Sequence, residues 1–292
     1  MRDLDDHSIT AEVLARLSGT PDPRLRFVLS VLVRHLHDFA RETDLTEAEW
    51  MYGIDFLTRT GQLCSPVRQE FILLSDTLGL SQLVVAQNHG RSPEATEQTV
   101  FGPFYVAGAP VRPSGYDISD GADGSALYVR ASVRTQDGAP VPGALIEFWH
   151  ADPQGGYDTE REGWTLDDAR FRGNFVADDA GKVSFWTTKP SSYPIPMDGP
   201  VGESMLATRR SPMRPAHLHA RIAHPGFQTL VTHTFDEADP YLNSDAVFGV
   251  ISSCVGHFQE HEAGSYEGRT LQQPFFTIEC EFVLEGLEGL EG

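Results

Sequence analysis

His217 and His219, two residues apart in Arg214-Pro215-Ala216-His217-Leu218-His219, are the sharpest local signal in the chain. On a strand, residues i and i+2 project from one face, so both imidazoles could reach the same metal ion. His35 and His37 share the spacing but fall in a helical stretch, where the two side chains diverge. A bare His-x-His also occurs as two ordinary core or surface residues, so the pair needs partners before it means metal. The continuation Ala220-Arg221-Ile222-Ala223-His224 holds no carboxylate. That counts against a cupin and against a two-histidine, one-carboxylate Fe(II) centre. Tyr157, in Gly155-Gly156-Tyr157-Asp158, and Tyr193, in Ser192-Tyr193-Pro194-Ile195-Pro196, remain as candidates. Both sit in glycine- or proline-rich loops with no evident core to fill, and either alone could be an ordinary half-buried loop tyrosine. His89, His150, His224, His257 and His261 read as structural.

A strand for the histidine pair and loops for the tyrosines require a β framework, and the pattern after about residue 125 supplies one. The period there moves toward two. Candidate strands are Leu127–Arg134, Leu145–His150, Gly173–Ala177, Lys182–Thr188, His217–Ile222, Leu230–Phe235 and Phe275–Leu284. Turn signals at Asp137-Gly138, Asp179-Ala180-Gly181 and Pro225-Gly226 punctuate them, which argues for a β-sandwich. Residues 190–215 hold six prolines and two glycines without a clean period and read as a long functional loop. The repeated Leu-Glu-Gly from Leu284 onward reads as a frayed acidic end.

Before residue 95 the spacing is helical. Phe27, Val28, Val31, Leu32 and Leu36 mark one face of a long amphipathic helix. Thr46-x-x-Glu49 has the form of a capping box. Ser65-Pro66 predicts a third helix start, with Val67, Phe71, Leu74 and Leu78 on one face and a stop at Gly79. A shorter helix is expected over Ser81 to Gln87. The organisation expected is therefore mainly β with an α-helical N-terminal part: helices over 1–95 and a β-sandwich over 96–292.

The formal charge of −20 makes nucleic acid and anionic membrane poor partners, and only Lys182 and Lys189 are lysines. No apolar run reaches the roughly 18 residues of a spanning helix, and the acidic N-terminus has no signal-peptide core. Cys64, Cys254 and Cys280 lie far apart and read as free packed thiols of a reducing compartment, the cytoplasm.

Taken together, Ser192-Tyr193-Pro194-Ile195-Pro196, Gly199-Pro200-Val201-Gly202 and Arg214-Pro215-Ala216-His217-Leu218-His219 resemble the intradiol ring-cleavage dioxygenases. Gly102-Pro103-Phe104-Tyr105 and Gly181-x-x-x-Phe185 extend the resemblance, which runs from about residue 25 to 282. It implies a non-haem Fe(III) held by Tyr157, Tyr193, His217 and His219, with Tyr193 also acting as a base toward the substrate. Two phenolates and two imidazoles suit Fe(III), and the cation keeps both phenols ionised below their usual pKa of about 10. Arg214 would stabilise charge on the ring carbon that O₂ attacks. The resemblance further implies an aromatic diol and O₂ as substrates and a homodimer through the N-terminal helices, with a lipid at the interface as an option.

Within that family the chain departs from the catechol-cleaving members. They carry Gln on the strand after the histidine pair, where this chain has Thr232-His233-Thr234. His233 reads equally as a hydrogen-bonding group beside the site or as a core residue. Asp76 is the one acid in Phe71-Ile72-Leu73-Leu74-Ser75-Asp76. With Val100-Phe101-Gly102 and Ile195-Pro196, it looks like the hydroxyquinol-cleaving members, whose third ring hydroxyl needs a buried acceptor. Leu73, Pro103, Phe104, Arg214 and Val247 would complete the pocket. A water-facing Asp76 is the alternative. Rival readings of the whole chain are a catechol or chlorocatechol dioxygenase, a metal-free β-sandwich binding module and a zinc hydrolase.

Overall fold

A computed structural model describes residues 4–65, 68–89 and 92–287. The chain forms two compact units, Met1–Arg59 and Thr60–Gly292. In the first, α1 (Ile9–Leu17) and α2 (Pro23–Glu42) are joined by a hydrogen bond of 2.8 Å between Thr10 Oγ1 and His37 Nδ1. Asp22 caps α2 by accepting from the Arg24 and Leu25 amides, with Pro23 at the first helical position. α3 (Glu47–Gln62) starts at the expected capping box: the Thr46 amide donates to Glu49 and the Glu49 amide to Thr46 Oγ1. Apolar side chains on α2 and α3 stay in solvent, among them Phe27 at 58% exposure and Tyr52 at 64%.

The second unit contains α4 (Glu70–Thr77), α5 (Leu80–Asn88) and α6 (Pro200–Ala207). Its strands are β1 (Ala126–Thr135), β2 (Leu145–Trp149), β3 (Arg172–Val176), β4 (Lys182–Thr188), β5 (Tyr193–Pro194), β6 (Met213–Arg214) and β7 (His217–Ala223). There follow β8 (Leu230–Asp236), β9 (Val255–Gly256), β10 (Gln259–His261), β11 (Gly264–Tyr266), β12 (Arg269–Leu271) and β13 (Phe275–Leu284). One sheet has the order β10-β13-β1-β4 and the other β3-β2-β7-β8-β9; β5-β6 and β11-β12 are two-stranded ribbons. The two large sheets bury one core between them, with Leu127, Val129, Phe185 and Phe282 from one and Ile146, Phe148, Phe175 and Leu218 from the other. Each such side chain contributes roughly 1.5–3 kcal/mol.

β7 shows how the core positions the site. Leu218, Ala220 and Ile222 point into the sandwich, so the period of two turns His217 and His219 to the opposite face. That face is buried as well, with the Tyr157 loop and the β5-β6 ribbon against it. The mainly β architecture with an N-terminal helical part is as expected.

Three local expectations are corrected. α4 begins at Glu70, and the Ser65 amide, instead of opening a helix, donates to Arg68 O at 2.7 Å. Pro66 and Val67 lie outside the described residues. The inward face of α4 is Glu70, Leu73, Asp76 and Thr77; Phe71 and Leu78 are exposed. The expected apolar face is thus rotated toward the polar residues, which find partners or a pocket there. The stretch 190–215 is not one loop: Gly199-Pro200 starts α6, and β5 pairs with β6. The tail is ordered further than expected, since Gly286 bridges to Phe227 and the Leu287 amide donates to Gly226 O; residues 288–292 lie outside the described residues.

Candidate metal centre and the adjoining pocket

Four side chains converge: Tyr193 from β5, His217 and His219 from β7, and Tyr157 from a loop. Tyr157 Oη lies 3.1 Å from Tyr193 Oη and 2.9 Å from His219 Nε2. His217 Nε2 and His219 Nε2 are 3.1 Å apart. All four residues are at most 4% exposed. His217 Nδ1 donates to the Pro215 carbonyl at 2.6 Å, which fixes the tautomer and leaves the Nε2 lone pair facing the cluster.

The electrostatics of this cluster ask for a cation. Burial drives His217 and His219 well below the ordinary imidazole range, with the positive charge of Arg214 adding to the effect. Burial likewise pushes the Tyr157 phenol well above its usual value and Tyr193 upward, although Arg214 pulls Tyr193 back. Left alone, the site would hold two neutral phenols and neutral imidazoles with nitrogen atoms crowded together. A hard cation would turn that crowding into attraction and ionise the phenols. The donor set therefore fits a metal ion.

Each member is held from behind. Trp149 is the register partner of His219 and stacks on its ring at 4.6 Å and 9°. Phe104 stacks on Tyr157 at 4.1 Å and 12°. Arg172 of β3 pairs with the buried Asp158 and donates to the Phe104 carbonyl, joining the Tyr157 loop to the loop before it. Gly155 has φ +88°, and a Cβ there would meet Tyr193 Cβ at 2.7 Å, so only glycine lets the two tyrosine loops touch.

Arg214 comes to the cluster through the β5-β6 ribbon, where it is the register partner of Tyr193. Its Nη1 lies 3.5 Å from Tyr193 Oη and 3.3 Å from His217 Nε2. His233 is the register partner of His219. Its Nδ1 bonds Thr99 Oγ1, and its buried Nε2 has no partner among the described residues. The His217, His219 and His233 nitrogens lie within 4.8 Å of one another, so His233 is a polar neighbour of the pair rather than apolar filling. Of the two readings the sequence leaves open for His233, a hydrogen-bonding group beside the site or a core residue, its position favours the first.

The expected pocket residues fall into two groups. Leu73, Val100, Ile195 and Val247 pack in one buried cluster with Val201 and Met205. Pro103, Phe104 and Pro196 join Leu73 in the wall of a cavity of 750 Å³. That cavity shares Phe104, Pro196 and Met197 with a second of 370 Å³, into which Tyr157, Tyr193 and Ile195 open. Gly102, at φ +74°, would place a Cβ 3.4 Å from His219 Cε1. Phe101 is 39% exposed and packs edge-on against Tyr105. Asp76 lines neither cavity but is 2% exposed, which rules out the water-facing alternative. Burial raises its carboxyl, with Arg214 opposing and Asp245 adding to the shift. Arg210 ties its helix to the opposite wall, donating to Thr77 O at 2.6 Å and to Ala246 O at 3.2 Å.

The fold and this site define a class, and comparison with known proteins agrees. Residues 100–286 match the family model described as Dioxygenase, and residues 22–96 match Catechol dioxygenase N terminus. The chain belongs to the intradiol dioxygenase family, whose members act on aromatic diols with O₂ and are generally non-haem iron enzymes. It is 52% identical over 266 residues to a 6-chlorohydroxyquinol 1,2-dioxygenase of Cupriavidus pinatubonensis, covering 91% of this chain and 96% of that one. It is 46% identical to a hydroxyquinol 1,2-dioxygenase of Nocardioides simplex, with 96% and 95% covered. A solved hydroxyquinol 1,2-dioxygenase from Pseudomonas putida DLL-E4 superposes with a TM-score of 0.87 at 44% identity, covering 96% of this chain and 98% of that one. No helix among the described residues is long and apolar enough to cross a membrane.

Proposed function

We propose that this chain cleaves hydroxyquinol (benzene-1,2,4-triol) with O₂ between its adjacent hydroxylated carbons, giving 3-hydroxy-cis,cis-muconate, the enol form of maleylacetate. Both oxygen atoms enter the product. The observation that carries the reading is the convergence of two phenol oxygens and two imidazole nitrogens, with contacts of 2.9–3.1 Å, beside a buried guanidinium. Tyr157, Tyr193, His217 and His219 would hold a non-haem Fe(III). Bound there, the ion supplies the Lewis acidity that ionises the phenols and the substrate diol, and the electronic route to O₂.

The protein's own groups do the rest. Tyr193 Oη takes a proton from the diol, and its neighbour Arg214 keeps a negative oxygen there affordable in a buried site. Arg214 Nη1 faces the same point and stabilises charge developing on the ring. The cluster of Leu73, Val100, Ile195 and Val247 excludes water and fits the flat ring. Asp76, buried on α4, supplies the acceptor for the third hydroxyl. The pocket set also includes Phe101, Gly102, Pro103, Phe104 and Pro196.

The chain works in this reading as a cytoplasmic homodimer. Leu32, Leu36 and Phe39 on α2 are about half exposed at 49%, 55% and 54%, an apolar surface that a second copy or a lipid tail would cover. The test is direct. The purified protein should contain iron, be red from phenolate-to-metal charge transfer, and consume O₂ with benzene-1,2,4-triol much faster than with catechol. A colourless, iron-free protein would favour a binding module, zinc alone a hydrolase, and a preference for catechol another diol.

A further inference from the structure

Arg214 has five N–H donors in a planar fork, and only one edge of that fork can face the reacting centre. What fixes the choice of edge is a residue that no motif marks. Arg214 Nε donates to Asp245 Oδ1 at 3.1 Å and Nη2 approaches Asp245 Oδ2 at 3.5 Å. The pair is buried on both sides, at 4% and 2% side-chain exposure. Asp245 is itself held: the Val247 amide donates to Oδ1 at 3.3 Å and the Gly249 amide to Oδ2 at 2.9 Å. Each carboxylate oxygen thus takes one backbone and one guanidinium hydrogen. The turn is pinned to the arginine's own ribbon, because the Ala246 amide donates to Met213 O at 3.0 Å. Gly249 makes the approach possible, since a Cβ there would lie 3.2 Å from both Arg214 Nη2 and Asp245 Oδ2.

With Nε and Nη2 occupied, Nη1 is the edge that remains, and it is the edge that lies beside Tyr193 Oη and His217 Nε2. We propose that Asp245 is the positioning residue of the active site: it locks the guanidinium of Arg214 with Nη1 toward the reacting ring, and through the Val247 amide it sets one wall of the pocket in the same act. This rests on the function proposed above, in which Arg214 touches the substrate. Without Asp245 the guanidinium would still be charged but free to turn. A misplacement of about 1 Å at such a group can cost about 10²-fold in rate.

The experiment is a double-mutant cycle of Asp245→Asn and Arg214→Met in the iron-loaded full chain, with Asp245→Glu as a variant that keeps the charge pair and so tolerates burial. Iron content, melting temperature and the visible spectrum with 4-nitrocatechol bound are measured beside turnover of benzene-1,2,4-triol. Asp245→Asn should keep its iron and lose about 30- to 100-fold in kcat, and Asp245→Glu about 10-fold. Both should shift the spectrum of the bound nitrocatechol, and Asp245→Asn should cost little further in the Arg214→Met background. Wild-type kcat in both single variants, or an equal loss in both backgrounds, would overturn the proposal. So would an unchanged nitrocatechol spectrum. If Asp245→Asn does not fold, Asp245→Glu and its combination with Arg214→Met carry the same decision. A wild-type protein without iron or turnover would instead sink the functional reading itself.

Discussion

Tyr193 and Arg214 face each other across the β5-β6 ribbon as register partners, with Nη1 of the arginine 3.5 Å from the phenol oxygen. The proposed proton acceptor and the charge that would stabilise its ionised form are thereby delivered by one two-residue pairing. The phenol is a poor base while burial keeps it protonated; the adjacent guanidinium acts in the opposite direction.

The two roles assigned to the cluster separate by mutation. Tyr193→Phe removes an oxygen that the three other donors do not replace, so it should retain part of its iron and lose about 10²–10⁴-fold in kcat. His217→Ala should lose the metal outright. Metal analysis alongside oxygen uptake checks both, and a fully active Tyr193→Phe would end its role as base.

Asp76→Leu should lower kcat/KM for benzene-1,2,4-triol by about 5- to 150-fold, the equivalent of roughly 1–3 kcal/mol for an unmade buried hydrogen bond. Catechol, which has nothing to pair with Asp76, should gain or stay level. A triol-to-catechol ratio equal to that of the wild type would remove Asp76 from substrate recognition.

Gly155→Ala tests how closely the tyrosine loops must approach. The added methyl meets Tyr193 Cβ at 2.7 Å and the backbone there has φ +88°. The variant should lose roughly 1–3 kcal/mol of stability and shift the phenolate charge-transfer band, because Tyr193 must move. An unshifted band would show that the loops can part without disturbing the site.

His150, beside the cluster but not one of its donors, makes a pH prediction. Its Nδ1 donates to Ala151 O and its Nε2 accepts from Thr187, both at 2.7 Å, an arrangement only the neutral ring can make. Burial lowers its pKa to about 4. Below about pH 6.5 the unfolded chain takes up a proton that the folded chain refuses until about pH 4. Stability attributable to His150 is therefore lost as pH falls through that window, at up to about 1.4 kcal/mol per pH unit. His150→Gln, followed by urea unfolding from pH 4 to 7, should reduce the slope by about one proton. An unchanged slope would contradict it.

Strand positions were legible in the sequence because alternation is enforced by burial; β13 falls on the expected Phe275–Leu284 span. The four converging donors were legible only as an ordered set, since neither tyrosine loop has a period that says where its side chain points. The face of α4 is not legible because Phe71 and Leu78 look like core, while Glu70 takes the interior through its ion pair with Arg68 and Asp76 is buried beside it. Asp245 carried no signal at all. Its importance lies in a partner 31 residues away, which local pattern does not record.

β7 gives alternate residues two different employers: even-numbered Leu218, Ala220 and Ile222 close the sandwich, and odd-numbered His217 and His219 face the proposed metal centre. A slip of one residue would drop imidazoles into the hydrophobic core and empty the centre together. The chemistry is thus insured by the folding reaction itself. The proposed substrate walls, borne by α4 and the turn at 245–249, carry no such guarantee. Divergence among relatives of this chain should therefore alter which ring is accepted long before it alters how the ring is opened.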